Sequence, residues 1–112
     1  MPMTRSTALA ALFAALTALA IPARAEDVVT VTLKNDVFTP AEVKIPANAD
    51  VTLKFVNADA AAAEIESKDL KIEKVVAGNS EITVSVAPQE PGRYLFVNEY
   101  KEDTVKGYIV VE

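Results

Sequence analysis

A short alternation of apolar and polar residues runs through the chain from residue 28 onward and restricts its fold more than any other feature. In segments such as 29–33 and 51–55 every second residue is apolar, and continuously apolar runs follow at 94–97 and 108–111. A period of two places alternate side chains on opposite faces of a strand, so one face of each segment packs into a core. Turn-forming residues separate the segments, at 39–40, 57–59, 78–80 and 88–92. Six or seven short strands at this spacing predict an all-β fold, an antiparallel Greek-key β-sandwich.

The first 25 residues have a different pattern. Arg5 precedes an apolar run over 8–21, and Ala23-Arg24-Ala25 follows as a small-residue site. This order is typical of a cleavable secretory signal peptide. The apolar run is shorter than the roughly 20 residues that span a bilayer. We therefore expect a signal peptide over 1–25, a mature domain over 26–112 without a membrane span, and a periplasmic location.

Composition excludes several classes of function. The sequence contains no Cys and no His, so disulfides, zinc fingers and triads based on these residues are excluded. Removal of residues 1–25, which hold two arginines and no acidic residue, leaves 87 residues and changes the formal net charge from −5 to −7. Nucleic-acid binding needs clustered Lys and Arg to neutralise phosphates, and we expect no such partner. Both methionines also lie in the removed segment, which leaves carboxylates as the metal-binding groups of the mature domain.

Several segments together resemble a cupredoxin, in the order Phe38-Thr39-Pro40, 43–47, 51–59, 91–96 and 107–111. The resemblance implies a cupredoxin-like sandwich over nearly the whole mature domain. Cupredoxins that transfer electrons hold copper with two His, one Cys and usually a Met. The resemblance places these ligands near Glu64 and at Asn98, Lys101 and Val105 or Lys106. A blue-copper centre needs a thiolate and imidazoles, so type 1 copper is not expected here.

A narrower resemblance concerns segments 64–70, 73–76 and 99–104. They are similar to the periplasmic cupredoxin-like components of bacterial iron-uptake permease systems, which carry E-[FI]-E-S-x-D-L, E-K and [DE]-[FY]-H-x-D. The resemblance implies an accessory protein for iron uptake, which binds metal or docks to an inner-membrane iron permease or a periplasmic metal-binding partner. Lys101 stands where those proteins usually have His, so the chain departs from the pattern there.

Six carboxylates are the candidate metal ligands. Glu64 and Glu66 are two residues apart and share one face of a strand. Glu73 can come near them if its strand pairs alongside or if the intervening loop folds back. The final loop, which in cupredoxins faces the position of Glu64, supplies further carboxylates. The full candidate set is Glu64, Glu66, Glu73, Glu99, Glu102 and Asp103. Oxygen ligands alone suit hard cations such as Ca²⁺, Mg²⁺, Mn²⁺ or Fe³⁺. Iron or another hard cation is therefore the candidate cofactor, and the sequence leaves open which metal, if any, is bound.

Two alternatives stay open at this point. The carboxylates are solvated charges, or they pair with nearby lysines, and Lys101 then serves as an internal counter-charge to Glu64 or Glu66. The protein would in that case be a metal-free protein-interaction module of cupredoxin fold. Assisted oxidation of ferrous iron is the only enzymatic candidate, and the sequence assigns no catalytic residue.

Overall fold

Nine strands and one short 3₁₀ turn form the part of the chain that the computed structural model describes, residues 28–101 and 104–112. The strands are β1 (Val28–Lys34), β2 (Val37–Thr39), β3 (Glu42–Ile45), β4 (Val51–Asn57), β5 (Ala63–Ser67), β6 (Ile72–Val76), β7 (Ser80–Val86), β8 (Gly92–Asn98) and β9 (Lys106–Val111). The 3₁₀ turn Glu99–Lys101 follows β8 directly. No helix within the described ranges is long and apolar enough to cross a membrane. The predicted signal peptide lies outside the described residues.

The strands form two sheets, with strand orders β2-β1-β4-β7 and β3-β9-β8-β5-β6. The predicted β-sandwich is therefore confirmed. Its sheets are mixed, however, because β1 pairs with β4 in parallel and β3 pairs with β9 in parallel. The β1–β4 pair is parallel because the chain leaves the first sheet for β3 and returns to it at β4, running in the same direction as β1.

Phe96 lies at the centre of the core between the sheets and has no exposed surface. Its ring centroid is 4.8 Å from that of Phe38 and 5.6 Å from that of Phe55, and both contacts are edge-to-face. Such aromatic pairs contribute about 0.5–1.5 kcal/mol each beyond the burial of their surface. Gly107 lies opposite Phe96 in the β8–β9 register. A Cβ at Gly107 would be 2.5 Å from Phe96 Cζ, so the glycine inside this strand makes room for the ring.

A buried asparagine organises one end of the sandwich. Asn57, at the end of β4, is 2% exposed, and its Nδ2 lies within hydrogen-bonding distance of the carbonyl oxygens of Ala61 (2.9 Å), Val76 (3.3 Å) and Ala77 (3.3 Å). Its Oδ1 accepts a hydrogen bond from the backbone N–H of Asp59. A buried amide bonded in this way costs little, whereas the same carbonyls without a donor would each carry a desolvation penalty. Asn57 therefore fixes the loop after β4 against the end of β6.

Candidate metal-binding site

Three of the predicted carboxylates converge at this end of the sandwich. Glu64 lies on β5, Glu73 on the neighbouring edge strand β6, and Glu99 at the first position of the 3₁₀ turn. One carboxylate oxygen from each lies within 4.8 Å of the other two. Two oxygens on opposite sides of a cation are roughly 4–5 Å apart, twice the usual metal–oxygen distance for a hard ion. We call Glu64, Glu73 and Glu99 the glutamate cluster, and its dimensions suit one cation.

The strand pattern explains how these side chains meet. On β5 the residues Ala63, Ile65 and Ser67 are buried, so Glu64 and Glu66 share the outer face, as the sequence predicts. Antiparallel pairing of β5 with β6 brings Glu73 to this neighbourhood, again as predicted. Each of these positions is thus set by a regular ladder rather than by a flexible loop.

The other three predicted ligands have different outcomes. Glu66 is directly opposite Glu73 in the β5–β6 register, yet among the described residues it is outside the group of converging oxygens. Glu66 instead lines a shallow pocket on the outer face of the sheet, together with Lys68, Asp69, Leu95 and Val97. Glu102 and Asp103 lie outside the described residues, so their predicted role stays a prediction.

The ion pairs of the described residues bear on the lysine alternative. Within residues 28–101 and 104–112 the ion pairs are Lys54–Glu81, Arg93–Glu42 and Lys101–Asp36. None of them includes Glu64, Glu66 or Glu73. The expectation that Lys101 serves as the counter-charge of Glu64 or Glu66 is therefore wrong, because its Nζ donates to Asp36 Oδ2 at 2.8 Å. The direction of the side chain follows from the turn Glu99–Lys101, which carries Glu99 and Lys101 toward different neighbours.

A second acidic group, which the sequence reasoning missed, surrounds Lys101. Asn35 and Asp36 have φ values of 52° and 62°, which form a tight hairpin between β1 and β2. Asp59 accepts the backbone N–H of Asn35 at 2.6 Å and that of Asp36 at 3.1 Å. These two hydrogen bonds hold the pKa of Asp59 below its ordinary value, and the hydrogen bond with Asp36 raises the pKa of Lys101. We call Asp36, Asp59 and Lys101 the lysine cluster. The Asn-Asp pair between two apolar segments was the signal that could have predicted its hairpin.

A buried amide joins the strand of Glu64 to the turn of Glu99. Asn98, the last residue of β8, is 3% exposed. Its Oδ1 accepts hydrogen bonds from the backbone N–H of Glu64 at 3.0 Å and from that of Tyr100 at 3.2 Å. The backbone N–H of Asn98 donates a hydrogen bond to the backbone carbonyl of the buried Val105 at 2.9 Å.

Comparison with known proteins agrees with this architecture. The sequence matches the cupredoxin-like domain family over residues 6–111. The chain belongs to this family. It is 36% identical over 83 residues to an uncharacterized protein of Rickettsia prowazekii (strain Madrid E), an alignment that covers 74% of this chain and 66% of the relative. The chain thus spans slightly less than two thirds of that relative's length.

Several solved structures share the fold at low sequence identity. A copper binding protein in its apo form superposes with a TM-score of 0.70 at 16% identity, over 82% of this chain and 93% of that one. Auracyanin B gives a TM-score of 0.67 with the same identity and coverage. The metal binding domain of the Cu(I) exporting P-type ATPase CopA of Streptococcus pneumoniae D39 gives 0.58 at 21% identity, over 76% of this chain and 95% of that domain. At these identities the likeness establishes the fold alone.

The residues of this cupredoxin do not fit type 1 copper. The chain has no Cys and no His, so neither the thiolate nor the imidazoles that such a centre needs are present. Asn98 stands at the position that the resemblance gives to Cys, and both lone pairs of its amide oxygen are engaged by backbone N–H groups. Val105 is buried, and Lys101 is bonded to Asp36. Among the described residues at this end, Glu64, Glu73 and Glu99 have carboxylate oxygens close enough together to ligate one cation.

Proposed function

We propose that this protein is an exported, periplasmic cupredoxin that binds a hard cation, iron above all, at the glutamate cluster. It would serve iron uptake by delivering the ion to an inner-membrane permease or to a periplasmic metal-binding partner. The convergence of three carboxylate oxygens within 4.8 Å, from three separate elements, carries the proposal. The similarity of segments 64–70, 73–76 and 99–104 to components of iron-uptake systems supports the choice of ion.

Charge considerations favour an external cation. Three carboxylates at this separation repel one another by about 1 kcal/mol per pair even at the dielectric constant of water. Glu64 and Glu73 form no ion pair with a lysine or arginine of the described residues. A trivalent or divalent ion would neutralise this repulsion, and oxygen ligands prefer Fe³⁺ or Mn²⁺ to Cu(I).

Calorimetric titration of the purified protein with Mn²⁺, Fe²⁺ under anaerobic conditions and Cu²⁺ tests the proposal. We expect one site for Mn²⁺ or iron, with affinity reduced in Glu64→Gln and Glu99→Gln. Glu90→Gln is the matched control, since Glu90 is exposed between β7 and β8, outside the cluster. Absence of binding to every ion, or equal losses in Glu64→Gln and Glu90→Gln, would contradict the metal site.

Export and the partner need separate tests. Expression of the full sequence in a bacterium, followed by fractionation and N-terminal sequencing, should give a periplasmic protein that begins at Glu26. Retention of a permease component on the immobilised protein would support the role in iron uptake. Retention that is independent of the three glutamates would favour the metal-free interaction module instead.

One structural observation favours that second function. The outer face of the five-stranded sheet exposes Val75 and Leu95, which are 54% and 40% accessible, close to the acidic side chains of β5 and β6. These two apolar side chains lie on strands that are separated by β5, and they would offer a docking partner apolar contacts on either side of the β5 glutamates. Val75→Ser would weaken docking without changing the affinity for Mn²⁺ if the two functions are separate.

A further inference from the structure

We infer that Asn98 is a positioning residue: its buried amide clamps the turn Glu99–Lys101 to β5 and so sets the spacing of the glutamate cluster. The expected effect of Asn98 on cation affinity rests on the proposed function. The clamp itself is a property of the protein without metal and can be tested on its own.

The hydrogen bonds of Asn98 connect the two elements that carry Glu64 and Glu99. Its Oδ1 is 3.0 Å from the backbone nitrogen of Glu64, which is itself a member of the cluster. The same oxygen is 3.2 Å from the backbone nitrogen of Tyr100, the residue that follows Glu99. The sheet register pairs Asn98 with Ile65, so the amide lies beside the strand it bonds. One side-chain atom therefore fixes the relative position of two ligand-bearing backbones.

Asn98 acts through other residues and is not a ligand. An amide oxygen has two lone pairs, and two backbone N–H groups already use them. The residue is 3% exposed, so loss of the oxygen would leave two N–H groups without their acceptor in a largely closed environment. The turn would then move to find new partners, and Glu99 would move with it.

The cluster depends on this clamp because its members are held unequally. Glu64 and Glu73 are fixed by the ladder between β5 and β6. Glu99 lies on a three-residue turn that packs beside β5 but is not part of a ladder between strands. Groups that orient ligands in this way typically change metal affinity by about 10- to 100-fold when they are removed.

Two substitutions separate positioning from simple filling of space. Asn98→Asp keeps an acceptor oxygen in the place of Oδ1 with nearly the same side-chain shape, whereas Asn98→Thr keeps a buried polar side chain that is too short to reach both N–H groups. We expect Asn98→Thr to accelerate amide hydrogen exchange at Glu64 and Tyr100 in the metal-free protein, measured by NMR. We expect Asn98→Asp to retain protection at both amides.

The Mn²⁺ affinity of the same variants completes the experiment. Asn98→Thr should bind about 10- to 100-fold more weakly than the wild type, whereas Asn98→Asp, which keeps the acceptor and adds a carboxyl group near the cluster, should show no such loss. In a Glu99→Gln background the effect of Asn98→Thr should be smaller, because residues that act through one another are not additive. Wild-type protection of both amides in Asn98→Thr, or equal losses of affinity in the Thr and Asp variants, would overturn the inference. A wild type that binds no Mn²⁺ while its amides still depend on Asn98 would overturn the proposed function and leave the clamp standing.

Discussion

Two acidic clusters lie at the same end of this cupredoxin, and they differ in where their positive charge comes from. The lysine cluster contains its own cation, since Lys101 Nζ lies 2.8 Å from Asp36 Oδ2 and Asp59 bonds the hairpin backbone. The glutamate cluster receives no lysine or arginine at Glu64 or Glu73 among the described residues. The turn Glu99–Lys101 contributes one residue to each cluster. The comparison teaches that carboxylates at one end of a fold can differ in pairing: Asp36 has an ammonium partner, whereas Glu64 and Glu73 have none among the described residues.

The largest effect is expected when the glutamate cluster is given a cation of its own. Glu73 is exposed on an edge strand, so Glu73→Lys should fold normally. The substitution replaces an attraction to the bound ion with a repulsion at close range. Solvent screens this change in charge, so we expect it to weaken binding by only about 3 kcal/mol. Since each 1.4 kcal/mol of binding free energy corresponds to tenfold in affinity, the loss of Mn²⁺ affinity should be on the order of 100-fold. Calorimetry should show this loss.

Glu90→Lys provides the charge-matched control for that prediction. It changes the net charge by the same amount outside the cluster, and we expect little change in Mn²⁺ affinity. Similar losses in both variants would mean that long-range charge attracts the ion, and the distinction between the two clusters would fail.

A second substitution should disturb both clusters together. Asn57 bonds the backbone of Asp59 on one side and the carbonyl of Val76, at the end of the strand of Glu73, on the other. Asn57→Ala leaves buried groups without partners, and we expect the free energy of unfolding to fall by about 1–3 kcal/mol. Urea denaturation measures this loss. A loss in the free energy of unfolding below about 0.5 kcal/mol is the size expected for an ordinary surface substitution. Such a result would show that water replaces the hydrogen bonds of the Asn57 amide.

The sequence predicts the strand-borne half of this site better than the loop-borne half. Alternation alone places Glu64 and Glu66 on one face and identifies Ile65 as core, and a ladder then brings Glu73 close. The direction of Lys101 could not be predicted, because it depends on a three-residue turn and on Asp36, which is 65 residues away in the chain. Asn98 carried no recognisable signal either. Its role depends on which backbone N–H groups face it after the strands have paired.

The pH dependence of stability distinguishes the clusters in a further way. Two backbone hydrogen bonds lower the pKa of Asp59 from its ordinary value of 3.8. A lowered pKa means that its contribution to stability is present above pH 3.8 and is lost as the pH falls through the folded-state pKa. Wild type and Asp59→Asn should therefore differ in denaturation midpoint at neutral pH and converge in acid. If the two denaturation midpoints still differ by the same amount at a pH below the folded-state pKa of Asp59, the charge of this carboxylate is unimportant to the hairpin.

The smallest effect is expected for Lys101→Met, which removes the internal cation and keeps most of the length of the side chain. Both Lys101 and Asp36 are about half exposed, and ion pairs of this kind add little to stability. The raised pKa of Lys101 means that its contribution is present below pH 10.5 and is lost as the pH rises through the folded-state pKa. We expect a small fall in Tm at neutral pH that disappears in strong alkali. Because Lys101 is bonded to Asp36, its removal should leave Mn²⁺ affinity at the glutamate cluster nearly unchanged. An increase of tenfold or more in Mn²⁺ affinity would show that the Lys101 ammonium repels the bound ion across the turn. The two clusters would then be electrostatically coupled.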